Sequence, residues 1–466
     1  MRKFDVVIIG SGQGGNPLAH AFAQAGYQTA MIERNLVGGT CINIGCTPSK
    51  TLIASGKVAH TIKRSEKYGI YVEEMRVKMS EVVSRKNKVV KSFRDGVEQG
   101  LKLQKNITLI KGHARFIEPY RLNVEMNSGA RQKIMANRIV IDTGARNRVP
   151  EIDGLTSIDF FDSTSIMNIK DVPEHLVIIG GGYNGLEMGQ LFLRLGSKVT
   201  VIDASKRLLP KEDEDIAAEI QHVLGKEGMK IYVNATIEKV SKQNRDSLTY
   251  VFFKQNGGKK KLIASHIMIA AGRIPNTDDL GLEAAGIVTD ENGFIKVNGK
   301  LETNIENIYA IGDVNGGPAF THIAYDDFRI LKANILDKKQ QSTRNRLIPY
   351  CMFIDPPLGR VGLSEDQAKQ KGIKYKIAKM PMSKVARALE TGQSKGLMKV
   401  LIDTSTDKIL GASILGDQAG ELMNMLQIAM LGGLKYQRLR DGVFAHPTYG
   451  ESLNNLFASF ATGKGK

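Results

Sequence analysis

The segment FDVVIIGSGQGGNPLAHAFAQAGYQTAMIE, residues 4–33, decides the fold of this 466-residue chain. It contains a short apolar strand, the pattern Gly10-x-Gly12-x-x-Gly15, an alanine-rich helical stretch and a second strand that closes at Glu33. Such glycines allow a tight turn and let backbone amides approach a pyrophosphate at the helix N-terminus, while the acid can bind ribose hydroxyls. The segment therefore predicts a βαβ dinucleotide-binding unit.

The same design returns in HLVIIGGGYNGLEMGQLFLRLGSKVTVID, residues 175–203. Its glycines and its acid are Gly180, Gly182, Gly185 and Asp203. In both copies the acid follows the middle glycine by 21 residues. One glycine fingerprint is weak evidence, because glycine-rich loops are common, but two copies in full strand–loop–helix–strand context predict two dinucleotide sites.

Two of the three cysteines, Cys41 and Cys46, lie in GGTCINIGCTPSK, residues 38–50. Cysteines of a chain without an export signal are normally reduced, so a close pair favours a catalytic or metal-binding role over a structural disulfide. A regular α-helix holds residues five apart at about 8–9 Å between Cα atoms, beyond the limit of about 7 Å for a disulfide. The backbone must therefore bend, and Gly45 permits a bend just before a helix whose first turn suits Pro48.

A zinc site fits the cysteine pair less well than a disulfide does. Structural zinc needs four ligands, and the nearest histidines in sequence, His20 and His60, lack a finger-like spacing. A disulfide-forming redox pair is therefore favoured over two unrelated buried cysteines, and no metal site is predicted.

Length and composition indicate a large globular protein. The length suggests about three domains, and a hydrophobic content of 42% is ample for buried cores. No apolar run approaches the roughly 18 residues of a membrane span, and the N-terminal strand runs into a glycine loop instead of a cleavage site. We expect a cytoplasmic protein without a membrane partner.

The net charge of +17 admits a nucleic acid, an acidic partner or an anionic substrate as a ligand. Lysine and arginine are densest in residues 57–111 and 259–261, without interleaved aromatic residues or a recognisable nucleic-acid module. A solvated basic face is therefore predicted, and nucleic-acid binding is not.

The rest of the chain completes an α/β fold with a separate C-terminal part. Residues 76–101 carry apolar residues, Phe93 among them, at helical spacing and predict a long amphipathic helix. The segments LTYVFF and KLIASHIMIA predict strands, and a domain boundary is expected near Gly272. From Ile348 onward, strands (PYCMFI, GLMKVLID, KILGASILG) and a helix near residues 421–430 predict an α+β domain.

Several motifs together resemble the flavin-dependent pyridine nucleotide-disulfide oxidoreductases of class I. They are the cysteine segment, both fingerprints, TNIENIYAIGD (residues 303–313) and HPTYGES (residues 446–452), and the resemblance spans essentially the whole chain. It implies two Rossmann-like domains, for FAD and for NAD(P), plus a C-terminal α+β dimerisation domain. The implied division is 1–147 (FAD-binding, first part), 148–271 (NAD(P)-binding), 272–343 (FAD-binding/central, second part) and 344–466 (dimerisation).

The resemblance also assigns cofactor residues. For FAD they are Gly10, Gly12, Gly15, Glu33, Gly39, Thr40, Lys50, Thr143, Gly144, Gly312 and Asp313. For NAD(P) they are Gly180, Gly182, Gly185, Glu187, Asp203 and Gly272. NADH is slightly favoured over NADPH, because Asp203 would repel a 2′-phosphate, although Lys206 and Arg207 would offset that repulsion.

The implied catalytic residues are Cys41, Cys46, His446, Glu451 and Lys50. In this family Cys46 is the flavin-facing sulfur and Cys41 exchanges with substrate. His446, oriented by Glu451 and supplied by the other subunit of a homodimer, moves the proton, since exchange requires a thiolate and imidazole binds protons near neutral pH. Lys50, paired with Glu187, would stabilise negative charge on the reduced flavin.

Within the family, the active-site segment is similar to those of dihydrolipoyl dehydrogenases and mercuric reductases. IDPPLGRVGLSE (residues 354–365) and KMPMSKVARALETG (residues 379–392) are more similar to mercuric-reductase-like and hypochlorite-responsive flavoenzymes. Mercuric reductases add a vicinal cysteine pair near the C-terminus and usually replace the histidine, whereas this chain has FASFATGKGK (residues 457–466) there and keeps His446.

The favoured function is a dihydrolipoyl-dehydrogenase-like NAD(P)H:disulfide oxidoreductase that acts on a small dithiol or disulfide. One alternative is a mercuric-reductase-like metal-ion or oxidant-response reductase. Another, of a different class, is a redox-sensing flavoprotein that binds acidic partners through its basic surface.

Overall fold

The structure is a computed structural model and describes residues 1–242 and 248–459. The cysteine-free tail is therefore mostly outside the described residues. The chain forms two units, the first comprising Met1–Leu52, Ser80–Val149 and Gly272–Arg346, and the second comprising Ile53–Met79, Pro150–Ala271 and Leu347–Lys466. The four-segment domain division stays a prediction.

The helices of the described chain, numbered in chain order, are α1 (Gly15–Gln24), α2 (Gly39–Ile44), α3 (Cys46–Lys63), α4 (Met79–Leu103), α5 (Tyr183–Leu195), α6 (Glu214–Glu227), α7 (Thr321–Ile335), α8 (Glu365–Gln370), α9 (Ala386–Glu390), α10 (Ala419–Leu431), α11 (Tyr436–Arg440) and α12 (Ser452–Ala458). Within the residues described, no helix is both long and apolar enough to cross a membrane.

The strands of the first half of the chain are β1 (Arg2–Ile9), β2 (Thr29–Glu33), β3 (Ile107–Glu118), β4 (Arg121–Met126), β5 (Arg131–Ile141), β6 (Ala145–Asn147), β7 (Phe161–Asp162), β8 (His175–Ile179), β9 (Lys198–Ile202), β10 (Lys230–Tyr232) and β11 (Ala235–Lys242). Those of the second half are β12 (Thr249–Gln255), β13 (Gly258–Ala264), β14 (His266–Ile269), β15 (Arg273–Pro275), β16 (Ile308–Ala310), β17 (Tyr350–Met352), β18 (Leu358–Gly362), β19 (Tyr375–Pro381), β20 (Leu397–Asp403) and β21 (Ile409–Leu415).

The first unit is built on a parallel sheet of order β3-β2-β1-β5-β16, and β4 pairs antiparallel with both β3 and β5. The apolar run of β1 is covered on both faces, as expected for a central parallel strand. Val6 and Ile8 pack with α1 and α7 residues, whereas Val7 and Ile9 pack with residues of β3, β4 and β5. The carboxyl ends of β1 and β2 therefore lie side by side, where a dinucleotide binds in such folds.

The second unit contains three sheets. A parallel sheet of order β10-β9-β8-β14-β7 carries the second fingerprint, and β11-β12-β13 form an antiparallel sheet. The antiparallel sheet β17-β18-β21-β20-β19 packs against α10 and α12 through a continuous apolar core. The α/β fold with a C-terminal α+β domain is thus confirmed.

Three local expectations need correction. KLIASHIMIA is two strands rather than one, because the chain leaves the antiparallel sheet after β13 and enters the parallel sheet at β14, and Ser265 at this junction bonds through its hydroxyl to the backbone of His175. Phe93 of α4 is 55% exposed and does not belong to the buried stripe. The lysines of β13 do have aromatic neighbours, because strand pairing places Lys261 Nζ 3.8 Å from the centroid of the Tyr250 ring.

Candidate active site

Both fingerprint loops turn directly against the end of a neighbouring strand. The first glycine of each loop has a positive φ, 103° at Gly10 and 109° at Gly180. A Cβ on Gly10 would lie 2.2 Å from Asp142 O, and one on Gly180 would lie 2.4 Å from Ala270 O. Only glycine satisfies both the backbone conformation and the close approach, so the two loops share one physical design.

The acid that closes each second strand reaches back to its own loop. Glu33 Oε2 accepts hydrogen bonds from Ser11 N at 3.0 Å and Ser11 Oγ at 2.7 Å. Asp203 Oδ2 accepts one from Gly181 N at 2.6 Å. Ser11 and Gly181 occupy equivalent fingerprint positions, so the structure brings the predicted acids and glycines together in both units.

The loops fit dinucleotides. Helices α1 and α5 begin after Gly14 and Gly182, and neither N-cap carries a side-chain hydrogen bond, which leaves first-turn amides available for a pyrophosphate. A Cβ on Gly182 would have no atom within 4 Å, so this glycine borders open space. Glu33 and Asp203 lie at the strand ends where they would bind ribose hydroxyls.

Sequence reasoning missed Asp142, the residue before Thr143. Its Oδ2 accepts a hydrogen bond from Gly15 N at 2.8 Å, although the two residues are 127 positions apart. Burial, with the charges of Asp313 and Glu33, raises the pKa of the Asp142 carboxyl well above its usual range despite this bond. Asp142 thus holds the start of α1 from the end of β5.

The other predicted FAD residues of the first unit lie in tied-down turns. Thr143 Oγ1 donates to Asn276 O at 2.9 Å, and Asn276 N donates to Gly144 O at 3.0 Å. Gly272 O accepts from Arg148 N at 3.0 Å. These bonds join the strand-end turn of the first segment to the returning segment of the same unit.

Two buried acids organise the turn at Gly312 and Asp313. Gly312 N donates to Asp327 Oδ2 at 2.9 Å, and Arg346 Nη1 donates to Asp327 Oδ1 at 2.6 Å. Asp313 lies 3.3 Å from Arg273 Nη2, and burial raises the pKa of its carboxyl in spite of that arginine. Asp327, Arg346 and Arg273 were not identified from the sequence.

The cysteine segment bends at the predicted place. Cys41 lies in α2, Cys46 is the first residue of α3, and Gly45 between them has φ −130° and ψ −116°, which is neither helical nor extended. A Cβ on Gly45 would lie 2.8 Å from Thr40 O and 3.2 Å from Cys41 Cα. The bend therefore depends on a missing side chain.

The two thiols lie within hydrogen-bonding contact of each other, and the disulfide is open. Cys46 is exposed and Cys41 is half-buried. The hydrogen bond to Cys46 and burial raise the pKa of the Cys41 thiol. Cys46 Sγ also lies 3.3 Å from Thr321 Oγ1, at the start of α7.

A close glycine contact joins the cysteine segment to the first fingerprint. Gly39 has φ 63°, and a Cβ on it would lie 2.8 Å from Gly12 Cα. Thr40 follows in α2, and Lys50 lies half-buried in α3. The redox pair is thus held directly beside the loop that would bind FAD.

His446 and Glu451 form a pair in the second unit. His446 Nδ1 lies 2.9 Å from both carboxylate oxygens of Glu451, so the carboxylate fixes the ring and leaves Nε2 pointing elsewhere. The His446 side chain is 69% exposed, whereas that of Glu451 is 19% exposed. The geometry is that of an oriented imidazole presented at the surface.

The second fingerprint continues into a buried polar cluster that sequence reasoning did not identify. Tyr183, the first residue of α5, and Tyr350 of β17 each donate to Glu212 Oε1 at 2.6 Å. Arg360 Nη1 donates to Glu212 Oε2 at 2.9 Å. In the same unit, Glu187 Oε1 accepts from Phe353 N at 2.7 Å.

One acidic cluster in the described chain has the spacing of a metal site, formed by Asp213, Asp215 and Glu365. Lys399 Nζ lies 3.5 Å from Asp213 and 2.9 Å from Asp215, and it also bonds to Glu365. An ammonium group therefore occupies the position that a cation would take.

Family models match most of the chain. The model described as pyridine nucleotide-disulphide oxidoreductase matches residues 4–327, and the dimerisation domain of the same family matches residues 348–457. The second match places the sheet β17–β21 and helices α8–α12 in a dimerisation domain.

Several curated proteins are similar over nearly the whole chain. The probable pyridine nucleotide-disulfide oxidoreductase RclA of Escherichia coli is 38% identical, with 98% of this chain and 99% of RclA covered. The mercuric reductase of Lysinibacillus sphaericus is 35% identical, covering 98% and 83%, and the mitochondrial dihydrolipoyl dehydrogenase of Pisum sativum is 34% identical, covering 98% and 91%.

A solved structure agrees with these comparisons. It is the Cu(II) complex of the HOCl-induced flavoprotein disulfide reductase RclA, with a TM-score of 0.89 and 37% identity over 98% of this chain and 100% of that chain. The expected family, fold class and enzyme class are therefore confirmed. The chain belongs to the pyridine nucleotide-disulphide oxidoreductases, which work with FAD and a pyridine nucleotide, and it is a flavin-dependent disulfide oxidoreductase.

Proposed function

We propose that the chain passes electrons from NAD(P)H to a small organic disulfide through the Cys41–Cys46 pair, and that His446 of a second subunit moves the proton. The contact between the two thiols at the Gly45 bend carries this proposal. Bound FAD would accept hydride from the nicotinamide and pass two electrons to the cysteine disulfide. The remaining chemistry belongs to the side chains of this chain.

Exchange with substrate begins at Cys41. Because its pKa is raised, the Cys41 thiol needs a base before it can attack. The thiolate then displaces one half of the substrate disulfide, forming a mixed disulfide, and that half leaves as a thiol with the proton returned by the base. Cys46 next attacks Cys41, which releases the second thiol and restores the cysteine disulfide.

His446 is the base that the second unit offers. Its exposure of 69% leaves the ring accessible, and the Glu451 carboxylate stabilises the imidazolium that forms when it accepts a proton. The dimerisation domain supports a homodimer, in which His446 of one subunit would complete the thiol site of the other. Lys50 and Glu187 are proposed to act near the flavin, as the family resemblance implies.

The nucleotide preference follows from Asp203. Its carboxylate lies at the end of β9 beside the second loop, where it would bond a ribose 2′-hydroxyl and repel a 2′-phosphate. NADH is therefore the proposed donor, and a cytoplasmic location stays a prediction. Comparing kcat/KM for NADH and NADPH in the wild type and in Asp203→Asn tests this preference, because the variant should lose selectivity for NADH.

The proton role of His446 has a direct test. His446→Ala should lower kcat with a lipoamide-type disulfide about 10²–10⁴-fold, while flavin reduction by NADH under anaerobic conditions stays unchanged. His222→Ala, at an exposed position of α6, is the matched control. Equal kcat values for His446→Ala and the wild type would disprove the role.

Subunit mixing tests where the histidine comes from. Cys41→Ser and His446→Ala are each inactive, but a mixed dimer holds one intact site if the histidine acts across the interface. Equal amounts dissociated and reassociated together should recover about a quarter of wild-type activity for a symmetric dimer. Recovery of no activity from verified mixed dimers would mean that cysteines and histidine act within one subunit.

The similarity to RclA, solved as a Cu(II) complex, favours a second candidate, reduction of a metal ion by the Cys41–Cys46 dithiol. Two Cu(II) ions would each take one electron, leaving two Cu(I) ions, a cysteine disulfide and two protons. This reaction has no leaving thiol to protonate. Turnover should therefore survive His446→Ala with Cu(II) or Hg(II) if metal reduction is the main activity.

A redox-sensing flavoprotein is the remaining alternative. It would show background turnover with every small disulfide and metal ion, together with salt-sensitive binding to an acidic protein.

A further inference from the structure

Two helices begin at the exposed sulfur of the redox pair. Cys46 is the first residue of α3, which has 18 residues, and Thr321 is the first residue of α7, which has 15 residues. The Thr321 Oγ1 atom lies 3.3 Å from Cys46 Sγ, and the same hydroxyl also bonds to Cys41. One side chain, 275 positions away in sequence, therefore touches both reacting sulfurs.

The helix starts favour a negative charge on Cys46. The N-terminus of a helix carries a partial positive charge, which stabilises a thiolate placed at its first turn. Cys46 lies at the start of α3 and contacts the start of α7, whereas Cys41 lies within the six-residue helix α2. Cys41 is also the more buried of the two sulfurs, and burial opposes ionisation.

A hydroxyl has one proton to donate, so Thr321 can satisfy only one thiolate at a time. We propose that Thr321 is a catalytic residue whose hydroxyl donates its hydrogen bond to the Cys46 thiolate, and thereby fixes the charge of the reduced pair on Cys46 and the proton on Cys41. The effect on Cys41 agrees with this assignment, because the hydrogen bond to Cys46 raises the pKa of Cys41 and the bond to Thr321 lowers it by less.

This assignment rests on the proposed function and adds a division of labour to it. Cys41 keeps its proton until the base removes it, so substrate exchange begins only where a base is present. Cys46 stays ionised and ready to attack the mixed disulfide at Cys41. Without the hydroxyl, the charge would be shared between the sulfurs, and Cys46 would protonate at a higher pH.

The test is the pH dependence of alkylation in the reduced holoenzyme. Iodoacetamide reacts with thiolates, and mass spectrometry of the digest reports Cys46 and Cys41 separately. Thr321→Val keeps the shape and removes the hydroxyl, so the midpoint for Cys46 should rise by about one pH unit and its rate below that midpoint should fall about tenfold. Thr321→Ser keeps the hydroxyl and should restore the wild-type midpoint.

The matched control is Thr47→Val, which removes a hydroxyl from the residue after Cys46 and should match the wild type. An unchanged midpoint in Thr321→Val, or an equal shift in Thr321→Ser, would overturn the proposal. The proposed function fails separately, by absence of turnover with small disulfides. The alkylation profile does not depend on turnover, so the two failures are distinguishable.

Discussion

Replacement of Gly45 by alanine should disturb the redox pair without touching a sulfur. The new Cβ would lie 2.8 Å from Thr40 O and 3.2 Å from Cys41 Cα. Both are backbone or Cα atoms of α2, so no side-chain rotation can relieve the contact. Overpacking of this kind costs about 1–3 kcal/mol. Relief requires α2 to move away from α3, which separates the two sulfurs.

The strain should fall mainly on the oxidised state, because a disulfide holds the two segments together and the dithiol lets them relax. Since 30 mV corresponds to about 1.4 kcal/mol for a two-electron couple, the potential of the pair should rise by about 20–60 mV. Thiols are counted after equilibration of the holoenzyme in dithiothreitol buffers of graded ratio, and urea unfolding gives the stability.

Gly96→Ala is the control for the change from glycine to alanine. Gly96 lies within α4 in the same unit, and a Cβ there would have no atom within 4 Å. This variant should leave the potential unchanged and raise the free energy of unfolding by up to about 1 kcal/mol. If Gly45→Ala gives the same potential as Gly96→Ala, the bend does not depend on the missing side chain and the reasoning is wrong.

Three further predictions concern buried titratable groups. Glu212→Gln leaves the charge of Arg360 unpaired at side-chain exposures of 0% and 4%, so the free energy of unfolding in urea should fall by about 3–5 kcal/mol. Burial, and then the charge of Arg194, lowers the pKa of His60 from 6.5 to about 4, so the unfolded state binds the proton first. Stability should therefore decline as pH falls from 6.5 towards 4, and less steeply in His60→Asn. Burial raises the pKa of Asp142, so its ionisation costs stability as pH rises above 3.8. Asp142→Asn keeps an acceptor for the backbone amide and should match or exceed wild-type stability in mildly alkaline urea titrations, whereas Asp142→Ala should lose about 1–3 kcal/mol.

The sequence predicted the features that depend on neighbouring residues. Each fingerprint places its glycines, helix start and terminal acid within one βαβ unit, so the spacing alone identifies the loop geometry at Gly10 and Gly180. The bend at Gly45 was predicted for the same reason, since the distance limit for a disulfide applies to residues five apart.

Contacts between distant segments were not predicted. Asp142 meets Gly15 across 127 positions, and Thr321 meets Cys46 across 275. Neither partner belongs to a local pattern, because both are brought in by strand order and by the start of a separate helix. The burial of Phe93 was wrong for a related reason: helical spacing places a residue on a face, but the neighbouring elements decide whether that face is covered.

The two fingerprints differ most at the fifth position of the six-residue pattern. In the first loop this residue is Gly14, and a Cβ on it would lie 2.8 Å from both Ala324 O and Ile311 Cδ1. In the second it is Asn184, which is exposed. The first loop is therefore covered by its own unit, and the Glu33 carboxylate beside it is only 8% exposed. A covered loop slows ligand release and an open one permits exchange, so the same motif suits a retained flavin in the first unit and a nucleotide that must bind and leave at each turnover in the second.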